Sequence, residues 1–174
     1  MKKRLTRLPG KIKGHFRGSY QPLSFKYAVW GAVSGTLSIL AILLVTRLAG
    51  HPLLIGSFGA SAVLLFGASE SPMAQPRNLV GGHLLSASTA VTIVALFGSG
   101  PAAMAAAVGL AILLMYFTRT IHPPGGATAL IGVQGHAGIG FLLFPVLAGV
   151  VILLAVALLT NNVVNHRQYP KHWI

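Results

Sequence analysis

The chain has 174 residues, no cysteine and one acidic residue, Glu70. The first absence excludes disulfides, thiolate metal sites and cysteine nucleophiles. The second excludes a paired-carboxylate mechanism within one chain and an oxygen-rich Ca²⁺ or Mg²⁺ cage. A transporter relying on an acidic proton relay would have Glu70 alone. No two histidines have the His-x-x-x-His spacing of a helical metal site. Neither metal nor cofactor is expected. Charge of either sign is scarce, at 8% of residues against roughly 25% in soluble domains.

What fills the space is apolar: 54% hydrophobic residues and a mean hydropathy of +0.75. The expected class is an all-α, polytopic membrane protein of one domain. The net charge of +12 comes largely from residues 1–26, with Lys2, Lys3, Arg4, Arg7, Lys11, Lys13, Arg17 and Lys26. This segment runs directly into a long apolar helix. The positive-inside rule and contact with anionic lipid account for it better than nucleic acid, for which no separate binding domain is present. It places the N-terminus in the cytoplasm, with the inner (plasma) membrane as the expected location. The following apolar run exceeds a signal-peptide core and has no convincing cleavage site, so a retained signal anchor is expected.

Apolar stretches divide residues 27–160, the expected transmembrane domain. They are Tyr27 to about Thr46, a glycine-rich piece from Leu53 to Ala68, Leu79–Phe97, Ala102–Phe117, a short piece ending near Gln134, and Ile139 to about Leu159. Asn161 and Asn162 then end the last span, and residues 161–174 form a cytoplasmic tail. Gly31-x-x-x-Gly35 and the alanine-rich start of the fourth stretch suit close helix contacts, within one chain or between copies in a homo-oligomer. In the interval Ser69–Asn78, Ser71 and Asn78 suit helix caps, and Glu70 and Arg77 either stand as two solvated charges or, if the loop folds inward, pair across it.

The organising stretch is Thr118–Leu130. It puts Arg119, His122, Pro123, Pro124, Gly125 and Gly126 between apolar segments. Paired prolines remove two N–H donors but are tolerated in a first helical turn, so a short helix to Gln134 is expected, its positive end inward. Gly59-Ala60-Ser61-Ala62 matches Gly126-Ala127-Thr128-Ala129, and His51-Pro52 precedes one as His122-Pro123 precedes the other. Two halves, about 27–97 and 102–160, share a plan. Six crossings make a 3+3 inverted repeat; the alternative is four spans plus two re-entrant short helices. Six crossings place Arg77 and Arg119 inside and are favoured by the positive-inside rule.

In the inverted arrangement both short helices bring N-terminal amides to the midplane. Gly59, Gly125 and Gly126 leave those amides uncovered. Thr128, Ser61 and Ser57 add hydroxyls, His122 and His51 can donate or titrate, and Arg119 supplies charge at the mouth. The expected ligand is a small anion bound by His122, Gly125, Gly126, Thr128, Gly59 and Ser61. His83 is expected to hydrogen-bond a neighbouring helix. An intramembrane enzyme is not expected, because no acid or serine-elbow motif backs Ser57 or Ser61.

Ile121-His122-Pro123-Pro124-Gly125-Gly126-Ala127-Thr128-Ala129 resembles the signature of the HPP family of integral membrane proteins. Gly56–Phe66, Glu70–Asn78 and Gly81-Gly82-His83 resemble that family too, and the likeness covers roughly residues 20–165. It implies four transmembrane helices, which treating the short pieces as re-entrant would reconcile with six segments. Plant chloroplast and cyanobacterial members are implicated in nitrite transport, so the resemblance implies a channel or secondary transporter with nitrite first. Some relatives carry C-terminal CBS regulatory domains; nucleotide regulation in cis is not expected here. The rival expectation is a non-transporting scaffold or accessory subunit.

Overall fold

The computed structural model describes residues 24–48, 50 and 56–174. The basic segment up to residue 23 and the turn with His51 and Pro52 lie outside the described residues. Among the described residues there are six α-helices and no strand. Helix α1 is Phe25–Leu48, and α2 is Gly56–Ala62, running on as a π-helical turn, Val63–Gly67. A 3₁₀ turn, Pro72–Ala74, leads to α3, Pro76–Phe97. Then come α4, Pro101–Phe117, and α5, Pro123–Gln134. A π-helical stretch, Leu142–Leu147, precedes α6, Ala148–Val163.

Proline opens α3, α4 and α5, where its missing N–H would have had no partner in any case. Ser71 caps the 3₁₀ turn by accepting from the Met73 amide at 3.2 Å. Asn78 is no cap; it lies inside α3 and donates to the Ile121 carbonyl at 2.8 Å. The last span departs from expectation at both ends. Phe144 is extended (φ −139°, ψ 120°) ahead of Pro145, as the residue before proline prefers, which breaks the run. At its far end α6 continues through Asn161 and Asn162 to Val163.

Side-chain contacts fix the path. Tyr27 at the start of α1 bonds Ser69 just after α2, and Trp30 donates to the Thr160 carbonyl near the end of α6. Arg77 at the start of α3 donates to the Thr118 carbonyl at the end of α4. These termini therefore share one end of the bundle. At the other end Ser99, just after α3, meets His136, just after α5. The short helix α5 thus continues to the opposite end instead of turning back. Helix α2, reached after α1, ends beside the start of α1. The chain reverses direction from each helix to the next.

α2 with its π-turn and α5 have twelve residues each, about 18 Å against a hydrocarbon core of roughly 30 Å. Among the described residues three helical stretches are long and apolar enough to cross a membrane: α1, α3 and Leu142–Val163. Among the described residues the charges segregate: Lys26, Arg77, Arg167 and Lys171 mark the first end and Arg47 the other.

Packing follows four-residue spacing. α1 buries Ser34, Ser38, Ile42 and Thr46, leaving Val33, Leu37, Leu40 and Leu44 outside. α4 buries Ala103, Ala107, Ala111 and Met115. One core joins Phe58, Leu65, Phe66, Leu79, Val150 and Leu153; a second joins Ala90, Ala107, Ala111, Ala129 and Val133. α3 contributes to both. A Cβ at Gly31 would stand 2.8 Å from the Phe66 carbonyl oxygen, so that face of α1 packs inside the chain.

The tail is part of the fold. Arg167 is buried and donates to the carbonyls of Phe66 and Tyr27 and to Asn161 Oδ1. Tyr169 is buried and donates to the Ala74 carbonyl, and the Lys171 amide donates to Gln75 Oε1. Glu70 pairs with Lys171 at 3.0 Å, not with Arg77, because the tail folds back over its loop.

Candidate functional site

Five polar side chains with no solvent exposure meet where α5 begins: Ser57 and Ser61 of α2, His83 of α3, His122, and Thr128 of α5. Such groups are costly to bury unless hydrogen-bonded. Here they bond one another in a row. Thr128 Oγ1 donates to Ser57 Oγ at 2.9 Å. His83 Nδ1 meets Thr128 Oγ1 at 2.7 Å, and His83 Nε2 meets Ser61 Oγ at 2.8 Å. Ser61 Oγ meets His122 Nε2 at 2.9 Å, and His122 Nδ1 donates to the Met73 carbonyl at 2.8 Å. The two imidazole rings are 4.9 Å apart, and Phe58 covers the His83 ring at 5.7 Å.

The helices supply this geometry through close approach. A Cβ on Gly82 would stand 2.4 Å from His122 Cβ, and one on Gly125 would stand 2.7 Å from Ser86 Oγ and 2.9 Å from the Gly82 carbonyl oxygen. Only bare backbone lets the His122 segment and the first turn of α5 lie directly on α3. His122 is the N-cap of α5, extended at φ −138° and ψ 101°, as its position before Pro123 requires. His83 lies seven residues into α3, about 10 Å along the axis from the first end.

His122, Thr128 and Ser61 are brought together as direct members, and Gly125 forms the contact beneath them. Gly126 instead faces Val108 of α4, and Gly59 lines the groove between α1 and α2. Arg119 is exposed beyond α4 in a left-handed conformation (φ 57°). The expected cradle of bare amides is not formed at α5. Pro123 and Pro124 have no N–H, and the Gly125 N–H is taken by the His122 carbonyl at 2.8 Å. Polar side chains occupy that place.

His83 carries more of the site than its sequence context suggested, linking Ser61 to Thr128. Its local signals were the Gly81-Gly82-His83 stretch and the helical face it shares with Gly82 and Ser86, neither of which names its partners. Ser86 is buried with no hydrogen-bond partner for its hydroxyl, and it adjoins Gly125. Ser61 and Thr128, which hold equivalent places in the similar stretches 59–62 and 126–129, both enter the one network. No group of three or more His, Cys, Asp or Glu suited to a metal ion occurs among the described residues. Chemically, the arrangement can accept, hold and pass protons and can offer donors to an anion. No carboxylate belongs to the network.

The family profile "HPP, transmembrane region" matches residues 20–170. Two transmembrane proteins of Dictyostelium discoideum are similar. One is 49% identical over 128 residues, covering 69% of this chain and 45% of the relative. The other is 45% identical over 156 residues, covering 83% of this chain and 50% of the relative. The chain thus spans about half the length of the curated relatives it matches. No solved structure matches.

Proposed function

The chain belongs to the HPP family of integral membrane proteins, and on that premise we propose that it is a channel or secondary transporter for a small inorganic anion, nitrite first. The observation that carries this reading is the buried row from Ser57 to His122. Ionisable and polar groups inside a membrane domain are expensive and mark pathways or relays by default. Here they include two imidazoles, the unpartnered Ser86 hydroxyl and the positive end of α5, with no acid among them. That surrounding suits negative charge. Binding would centre on His122, Ser61, Thr128 and Ser86, with Gly125 allowing approach. Arg119 would act only as an exposed attracting charge.

In this reading the end bearing Lys26, Arg77, Arg167 and Lys171 is cytoplasmic, by the positive-inside rule, and the protein sits in the inner membrane. The basic N-terminal segment would contact anionic lipid there. The reversal of direction at each helix supports a 3+3 inverted repeat in which Ser61 and Thr128 are counterparts. No enzymatic turnover is proposed, since Ser61 is sealed from solvent and has no acid behind its histidines.

The test is nitrite entry into proteoliposomes of the purified chain against protein-free vesicles. Entry above background that falls at least tenfold in His122→Ala supports the reading. Equal entry in both removes it. A scaffold is the second reading, favoured by the closure of the network. It predicts no flux and loss of stability in the same variant.

A further inference from the structure

Helices α1 and α2 leave an open groove of about 1510 Å³ between them. On the α1 side its lining runs from Ser24 to Leu40, and on the α2 side from Gly59 to Ser71. The α1 side is about 24 Å long at the rise of a helix. One leaflet with its headgroup layer is roughly 20–22 Å thick, half of a whole bilayer. The groove therefore has the length of one lipid molecule. Helix α1 runs on to Leu48, yet among the described residues none beyond Leu40 joins the lining. A transmembrane helix laid alongside would need a groove along the whole span.

The groove is apolar along its length, with Ile39, Leu40, Val63 and Phe66 in its walls. A Cβ on Gly59 would meet nothing within 4 Å, so that position opens into free space. The end near Ser24 differs. Glu70, the one acid of the chain, is the only ionised side chain among the described lining residues. It meets Lys171 Nζ at 3.0 Å, but its side chain stays 62% exposed and that of Lys171 37%. Both can still face a headgroup. Behind the wall the Arg167 guanidinium donates to the carbonyls of Tyr27 and Phe66, two lining residues. The one carboxylate of the chain lies with Lys171 and leaves that charge uncompensated. The mouth thus carries a negative group on its edge, with positive charge beside and behind it.

We propose that this groove holds one zwitterionic phospholipid with a primary amine, of the phosphatidylethanolamine type. Its acyl chains lie against α1 and α2, its ammonium donates to Glu70, and its phosphate faces Lys171 and the field of Arg167. The site is separate from the buried row and does not rest on the anion reading. Any acyl chain can fill the apolar length, because hydrocarbon gains little by leaving hydrocarbon. The headgroup decides which lipid stays. An anionic glycerol head brings no cation to the carboxylate. A choline head brings a cation without an N–H. Only the primary ammonium adds a charge-assisted hydrogen bond. The contact is exposed, so the preference it gives is modest, about threefold.

The experiment uses the purified full chain in detergent. Phosphatidylethanolamine, phosphatidylcholine and phosphatidylglycerol with identical acyl chains are added in equal amounts, and native mass spectrometry counts what is retained. The expected result is one retained lipid per chain, with the ethanolamine form favoured about threefold over each of the others. Glu70→Gln should remove the preference and leave lipid retention intact. Gly59→Leu projects into the groove and should cut retention of all three at least tenfold, with helix content unchanged by circular dichroism. Equal retention of the three headgroups overturns the proposal. So does a preference that survives Glu70→Gln, or retention that Gly59→Leu leaves alone. A benzophenone side chain at Val63, itself 73% exposed, identifies the occupant by the mass of its adduct. A lipid adduct supports the proposal. A crosslinked dimer, or an internal link to residues 1–23, overturns it in favour of a second copy or of the N-terminal segment.

Discussion

Arg167 sits over the ring of Tyr27, its guanidinium carbon 3.6 Å from the ring centre, while its Nη2 donates to the Tyr27 carbonyl. The same side chain also serves Phe66 and Asn161, so it ties α1, α2 and α6 together at one end. Burial lowers its guanidinium from the ordinary value, with Tyr27 opposing. Arg167→Met should leave buried acceptors unpaired and cost about 1–3 kcal/mol. Arg167→Lys should recover little of this, because an ammonium lacks the planar fork. Thermal unfolding in detergent checks both. A Lys variant as stable as the parent would show that charge alone matters.

Adjacent glycines should behave differently. Gly125→Ala drives a Cβ against Ser86 and the Gly82 backbone and should cost about 1–3 kcal/mol. Gly126→Ala meets only Val108 Cγ1, at 3.9 Å, and should change stability by less than about 0.5 kcal/mol. Equal losses in the two variants would refute the close seating of α5 on α3.

Stability should fall in alkali through Tyr169. Burial pushes its phenol well above the usual value, so the folded chain keeps a proton that the unfolded chain releases. The contribution is complete below about pH 10, the unfolded value, and declines as pH rises beyond it toward the folded value. Tyr169→Phe should remove that part of the slope. It should also lose about 0.5–1.5 kcal/mol at neutral pH with the Ala74 bond. Denaturant midpoints from pH 8 to 11 for the two proteins decide this.

The exposed pair Glu70–Lys171 should contribute little. Lys171→Ala is expected to cost less than about 1 kcal/mol, and less still in high salt. A larger loss, insensitive to salt, would mean that the tail depends on this contact more than on Tyr169.

Single cysteines can be placed freely, because the chain has none of its own. A membrane-impermeant thiol reagent should reach Arg119→Cys and Lys171→Cys from one side and Arg47→Cys from the other. Labelling of all three from the same side would contradict the alternating path.

The helices were legible because apolar runs are long and proline marks three starts: Pro76, Pro101 and Pro123. The likeness of Ser61 to Thr128 was also visible, and both enter the buried row. The partner of Glu70 was not visible, since Lys171 is 101 positions away and nothing local links them. His83 shows the same limit, because its importance lies in what three other segments bring to it. Pro145 was present in the final run, yet that run's apolar character concealed the break at Phe144. The tail read only as a cytoplasmic segment, from charges such as Arg167 and Lys171; Phe66, Asn161 and Ala74 supply the acceptors that draw Arg167 and Tyr169 into the fold.

The row from Ser57 to His122 is assembled from both ends of a long stretch of chain. During synthesis Ser57 and Ser61 enter the lipid about sixty residues before His122 and Thr128 have left the ribosome. Until then their hydroxyls must be satisfied by the insertion machinery, by water or by their own helix. The partners that Ser57 and Ser61 hold in the finished fold are complete only when the fifth helix arrives. A nascent chain stalled near residue 110 should remain protease-sensitive and held by the translocon.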